Sequence, residues 1–185
     1  MRRIGRRSED PLVGGAATPA PSEPRALPPR DALRLAHLLA LAVPTALLSG
    51  ALLSQYVGDL APCEMCLWQR WPHFAALALG LVALTTRGSP RIALLTLAAL
   101  AIAVSGVIGV YHAGVEARLW SGVTACTAGG SARSFEEIMA APLVRCDEVQ
   151  WRFLGLSMAA WNAILSLASA AVIGWLLARV RKHSA

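Results

Sequence analysis

Four cysteines and one arginine in this chain have the types and spacing for redox chemistry. Cys63 and Cys66 form a Cys-x-x-Cys pair within Pro62-Cys63-Glu64-Met65-Cys66, and Arg70 follows four residues after the second sulfur. A vicinal thiol pair that switches between dithiol and disulfide moves two electrons. On a helix, Cys66 and Arg70 share a face one turn apart. A helix N-terminus and a guanidinium both favour the thiolate, which is the electron-donating form. A quinone ring is a natural acceptor beside such a sulfur, and Arg70 can donate a hydrogen bond to a quinone carbonyl oxygen. Pro72 sets a condition, because a proline inside a helix removes one backbone bond. Either a helix beginning at Cys66 passes through Pro72 with a kink, or the helix starts near Trp71. Only the first case keeps the shared face.

The other two cysteines lie in one long polar segment. Cys126 sits in Thr124-Ala125-Cys126-Thr127-Ala128-Gly129-Gly130, a context open to a partner's approach, and Cys146 sits in Arg145-Cys146-Asp147-Glu148. Closing the loop between them would restrict the open chain by about 3 kcal/mol in the chain-entropy model. Four cysteines suffice for two pairs. A four-cysteine zinc site is the structural alternative, but zinc ribbons use two Cys-x-x-Cys knuckles. Here nineteen residues separate Cys126 from Cys146. His112, after Tyr111, is either a site residue or an interfacial anchor. His73, three residues beyond Arg70, is a weaker candidate for the same pocket.

The elements that must position these residues are membrane helices. The chain has 185 residues, 56% apolar and 15% charged, with a positive mean hydropathy. Spanning a bilayer takes roughly 20 mostly apolar residues per helix. This chain accommodates four such helices and little else, so the expectation is one all-α integral membrane domain without a soluble catalytic domain. The predicted spans are about 37–57, with Pro44 implying a kink, then 68–84, 92–111 and 153–177. They are rich in small residues that let helices approach closely. Two outer loops then hold the cysteine pairs. Residues 1–32 read as a disordered basic and proline-rich tail, 33–180 as the four-helix domain and 181–185 as a second tail. The early arginines lack the apolar core of an export signal directly behind them. Phe135 to Val144 is weakly amphipathic and is either a membrane-surface segment or a solvated loop.

The net charge of +6 flanks apolar runs, which fits topology rather than nucleic-acid binding. The tail, the 86–91 turn and the C-terminus carry twelve of the 17 basic residues. By the positive-inside rule both termini are cytoplasmic and all four cysteines lie outside. In a bacterium that compartment is oxidising. Trp68, Trp71, Trp120 and Trp151 fit an aromatic belt at the outer boundary.

The arrangement Pro62-Cys63-x-x-Cys66-x-x-x-Arg70 resembles the quinone-reducing motif of the DsbB family of bacterial disulfide-bond formation proteins. Cys146-Asp147-Glu148-Val149-Gln150-Trp151-Arg152-Phe153-Leu154-Gly155-Leu156-Ser157-Met158 is similar to that family's approach to its fourth helix, and Tyr111-His112 and Thr124-Ala125-Cys126 also fit. The resemblance covers roughly residues 33–180. It implies a four-helix bundle in the inner membrane with two periplasmic loops. Such a bundle reoxidises DsbA, a thioredoxin-like thiol oxidant, and passes the electrons to ubiquinone or menaquinone. The implied redox disulfides are Cys63–Cys66 and Cys126–Cys146. Cys66 would contact the quinone, Arg70 would orient it and His112 would lie near its pocket. Cys126 would form the mixed disulfide with DsbA, and Cys146 would pair transiently with Cys63. A Tyr-Glu pair often precedes the arginine in the family. Here Trp68-Gln69 stands in its place. A relative of the vitamin K epoxide reductase group, with its cysteine pairs arranged differently, is the nearest enzyme alternative. A zinc-stabilised membrane scaffold without turnover is the non-enzymatic one.

Overall fold

The computed structural model describes residues 27–123, 127–128 and 143–183. Four helices carry most of this backbone: α1 Pro29–Tyr56, α2 Glu64–Thr85, α3 Ser89–Glu116 and α4 Met158–Lys182. Three of them, α1, α3 and α4, are long and apolar enough to cross a membrane. Residues 1–26, Cys126 and the segment from Phe135 to residue 142 lie outside the described residues. Leu143 and Val144, the end of the predicted amphipathic segment, form a short strand β2 that pairs antiparallel with β1, Thr127–Ala128.

Several boundaries differ from the sequence expectation, each for a local reason. Helix α1 begins at Pro29, inside the stretch assigned to the tail. Proline suits the first helical turn, where its missing N–H would be unpaired anyway, and Asp31 complements the positive end of the helix dipole. Helix α2 starts at Glu64 and contains Pro72, which settles the alternative at that proline in favour of the longer helix. Helix α3 runs five residues beyond Tyr111, so His112 lies within the helix rather than at its end.

Helix α4 begins at Met158 instead of Phe153. Residues 152–157 form a hairpin instead, with β3 (Arg152–Phe153) paired to β4 (Leu156–Ser157). Leu154 and Gly155 at its tip have φ of 50° and 82°, left-handed values that a right-handed helix excludes. Ser157 then caps α4, its hydroxyl accepting the Ala160 N–H at 3.2 Å. The helix continues to Lys182, into the stretch assigned to the second tail, with Arg179, Arg181 and Lys182 in its last turn against the negative end of the dipole.

Small side chains set the packing. The core is built largely of alanines, including Ala36, Ala40, Ala76, Ala83 and Ala98, with Leu95, Ile102, Ile173 and Leu176 between them. At Gly109 a Cβ would sit 3.0 Å from both the Ala159 carbonyl oxygen and the Ala163 nitrogen. No larger residue lets α3 lie this close to α4. Long-range bonds define the two ends of the bundle. At one end His37 of α1 bonds the Gly80 carbonyl of α2 at 2.9 Å, and Arg91 of α3 reaches His37 at 2.7 Å. At the other end Gln150 donates to the Ala61 carbonyl at 3.0 Å, so the segment before α4 is tied to the α1–α2 connector.

Candidate thiol centre

Cys63 is the N-cap of α2, with extended backbone and a sulfur that accepts the Cys66 N–H at 3.3 Å. This places Cys66 in the first helical turn, before the apolar stretch that starts at Trp68. The two sulfurs are 2.9 Å apart and hydrogen-bonded as a dithiol. The hydrogen bond from Cys63 lowers the Cys66 pKa below the ordinary thiol range; burial opposes the shift and Arg70 assists it. Cys63 is raised well above that range, because it holds the proton in this bond and is buried. One sulfur is therefore poised as the anion and the other as its donor.

Arg70 lies one turn beyond Cys66. Its guanidinium is anchored to α1, donating to Gln55 Oε1 at 2.5 Å and to the Ala51 carbonyl at 3.3 Å. Its Nε is buried without a hydrogen-bond partner. A cavity of about 720 Å³ lies against this face and is lined by Cys63, Cys66, Arg70, His73, His112 and Trp161 among others. Most of its wall is apolar, from α1, α2 and the start of α4. An apolar cavity with a thiol and a guanidinium among its lining residues fits a planar lipid-soluble ring bearing carbonyl oxygens.

His112 is 2% exposed and reaches the first cysteine pair across the bundle. Its Nε2 is 3.6 Å from Cys63 Sγ and 3.8 Å from Glu116 Oε1. Its Nδ1 is 2.9 Å from Gln69 Nε2. Cys146 joins from the second loop: its sulfur, Cys63 Sγ and a ring nitrogen of His112 all lie within 4.8 Å of one another. Sulfur, nitrogen and sulfur are also the donor types a thiophilic ion takes. Beside Cys146, Arg145 holds the exposed Asp147 carboxyl below the usual carboxylate range through a two-pronged hydrogen bond. Among the candidates taken from sequence, Cys63, Cys66, Cys146, Arg70 and His112 thus come together at one end of the bundle. His73 lines the same cavity. Cys126 lies outside the described residues.

A buried polar network supports this centre, and sequence reasoning did not single it out. Asn162 of α4 donates to Gln69 Oε1 at 2.8 Å and to the Ser105 carbonyl at 3.2 Å. His73 Nε2 lies 3.0 Å from Asn162 Oδ1 and 2.9 Å from Ser105 Oγ. Ser166 accompanies Asn162 one turn on, at 3.2 Å. The available signal was helical spacing: Ser105, His112 and Glu116 on α3, Gln69 and His73 on α2, and Asn162 and Ser166 on α4 each recur on one face of an apolar helix.

Membrane-length helices around a Cys-x-x-Cys pair whose first sulfur is buried, with a third cysteine brought to it from another loop, define a membrane thiol–disulfide oxidoreductase. Residues 33–176 match the family model for disulfide bond formation protein DsbB, and the chain belongs to that family. It is similar to disulfide bond formation protein B of a Polaromonas species, with 31% identity over 84% of this chain and 94% of the relative. A Shewanella protein of the same name is 31% identical over 64% of this chain and 72% of its own length. An uncharacterized protein of Rickettsia prowazekii is 23% identical over 80% of this chain and 90% of its own. No solved structure matches. The family places the chain in disulfide-bond formation at a membrane.

Proposed function

We propose that this protein is a thiol:quinone oxidoreductase that reoxidises a DsbA-like periplasmic oxidant. All four helices cross the inner membrane, with both termini cytoplasmic and the cysteines periplasmic. The observation that carries the reading is the position of Cys66: a thiol with depressed pKa, one turn from a half-buried arginine, on the wall of an apolar cavity. Ubiquinone or menaquinone, when bound there, supplies a two-electron, two-proton acceptor.

The chain's own residues divide the remaining work. The partner's thiolate attacks Cys126 of the oxidised Cys126–Cys146 pair: the mixed disulfide forms on Cys126, the Cys126–Cys146 bond breaks, and Cys146 leaves as a thiolate. Thr127, the residue after Cys126 in the chain, pairs with Val144, two residues before Cys146, which supports this step. The Cys146 thiolate attacks Cys63 of the oxidised Cys63–Cys66 pair. The Cys63–Cys146 bond forms, the Cys63–Cys66 bond breaks, and Cys66 leaves as a thiolate with the electron pair. Arg70 stabilises that anion and orients the acceptor.

The test is Cys66→Ser in purified full-length protein. It should abolish quinone reduction by a reduced DsbA-like partner while membrane insertion is retained. Undiminished reduction refutes the assignment. The Cys63–His112–Cys146 cluster favours one competing reading, a zinc-stabilised scaffold. Metal analysis with thiol counting separates the two: one bound zinc and no disulfide mean a scaffold, and two disulfides with bound quinone mean the enzyme. The family match favours the DsbB arrangement over that of the vitamin K epoxide reductase group.

A further inference from the structure

Gln69 occupies the position where the family often carries a carboxylate, and its surroundings fix which of its side-chain atoms faces His112. Its Nε2 is 3.1 Å from the Met65 carbonyl, which can only accept. Its Oε1 receives the Asn162 amide, whose own orientation is fixed by donation to the Ser105 carbonyl. Two backbone carbonyls therefore lock both amides. The nitrogen of Gln69, not its oxygen, is presented to His112 Nδ1 at 2.9 Å. A nitrogen that accepts carries no proton, so the neutral ring keeps its hydrogen on Nε2. That Nε2 stands 3.6 Å from Cys63 Sγ and 3.8 Å from Glu116 Oε1, and a ring nitrogen lies within 4.8 Å of Cys146 Sγ.

We infer that Gln69 is a positioning residue that fixes His112 as the Nε2–H tautomer, so that one ring N–H faces the sulfur of Cys63, with that of Cys146 beside it. A carboxylate at position 69 would act in the opposite sense. It would accept from Nδ1–H and leave Nε2 bare toward the sulfurs. The same hydrogen on Nε2 disfavours metal ligation through that nitrogen, because a ligating nitrogen must offer its lone pair. The functional part, faster exchange between Cys63 and Cys146, rests on the thiol-relay reading above; the tautomer does not.

The experiment is nitrogen-15 NMR of histidine-labelled full-length protein in detergent, with His112→Asn to assign the resonances. Wild type should show His112 with a protonated Nε2 and a bare Nδ1. Gln69→Glu should invert the pattern. Gln69→Leu, which neither donates nor accepts, should leave a mixture of both forms and guards against a misfolded glutamate variant. In parallel, formation of the Cys63–Cys146 crosslink from the oxidised Cys63–Cys66 pair should slow about tenfold in both variants. Nδ1–H in the wild type, or a tautomer indifferent to both substitutions, overturns the inference. A wild type with the Nε2–H form that never reduces quinone would instead sink the oxidoreductase reading and leave the tautomer assignment standing.

Discussion

The Sγ of Cys63 lies 3.6 Å from Nε2 of His112, although 49 positions separate them in the chain. Cys63 belongs to the connector that caps α2, and His112 stands on the inner face of α3. The contact closes one side of the thiol pair and leaves Cys66 facing the cavity. Each sulfur thereby acquires a different neighbour: imidazole for Cys63 and guanidinium for Cys66.

The Cys66 thiol has its pKa lowered first by the hydrogen bond from Cys63. Its thiolate therefore persists to lower pH than that of a free cysteine, whose ordinary value is 9.0. The alkylation rate of reduced protein should rise with pH through a midpoint below that value. Cys63→Ala removes the donor, so the midpoint should move up toward the ordinary range. A midpoint that stays put or falls would show that Cys63 is not the cause.

Arg70 lines the cavity, with Nη1 and Nη2 held by α1. A hydrogen bond from a charged donor contributes about 1.5–3 kcal/mol. Arg70→Ala should therefore raise the quinone concentration for half-maximal rate by about tenfold or more, with capture of the partner unaffected. An unchanged requirement removes Arg70 from the site.

Cys126→Ser should prevent covalent capture of the DsbA-like partner, while the Cys63–Cys66 pair still exchanges with Cys146. Trapping experiments with a single-cysteine partner would read this directly. A mixed disulfide formed at full rate through Cys63 would reverse the assigned order of the two pairs.

Gly109 packs against the α4 backbone, and a Cβ there would be 3.1 Å from the Asn162 amide nitrogen as well. Gly109→Val should destabilise the bundle by about 1–3 kcal/mol, the usual cost of overpacking. It should also loosen the Asn162–Gln69 contact. Thermal unfolding in detergent should show a lower midpoint, whereas Gly174→Ala, with open space around its Cβ position, should leave it nearly unchanged.

Local properties were legible in the sequence. The length and apolarity of the runs and the Cys-x-x-Cys pair follow from chain spacing alone, whereas the shared face of Cys66 and Arg70 also needed α2 to run through Pro72. The family was legible too, because its motifs are contiguous. Boundaries failed where local chemistry overrode hydropathy. Phe153 reads as the start of an apolar span, but the tip formed by Leu154 and Gly155 turns the chain back before α4 can begin.

What the tertiary structure decided was how the helices rotate against one another. Gln69 meets His112 across 43 positions and Asn162 across 93. No periodicity within one helix specifies which polar face meets which. That choice is made by close approach at small residues such as Gly109, and by the requirement that polar groups enclosed in an apolar bundle find partners. Whether a ring nitrogen donates or accepts is settled only once those partners are in place.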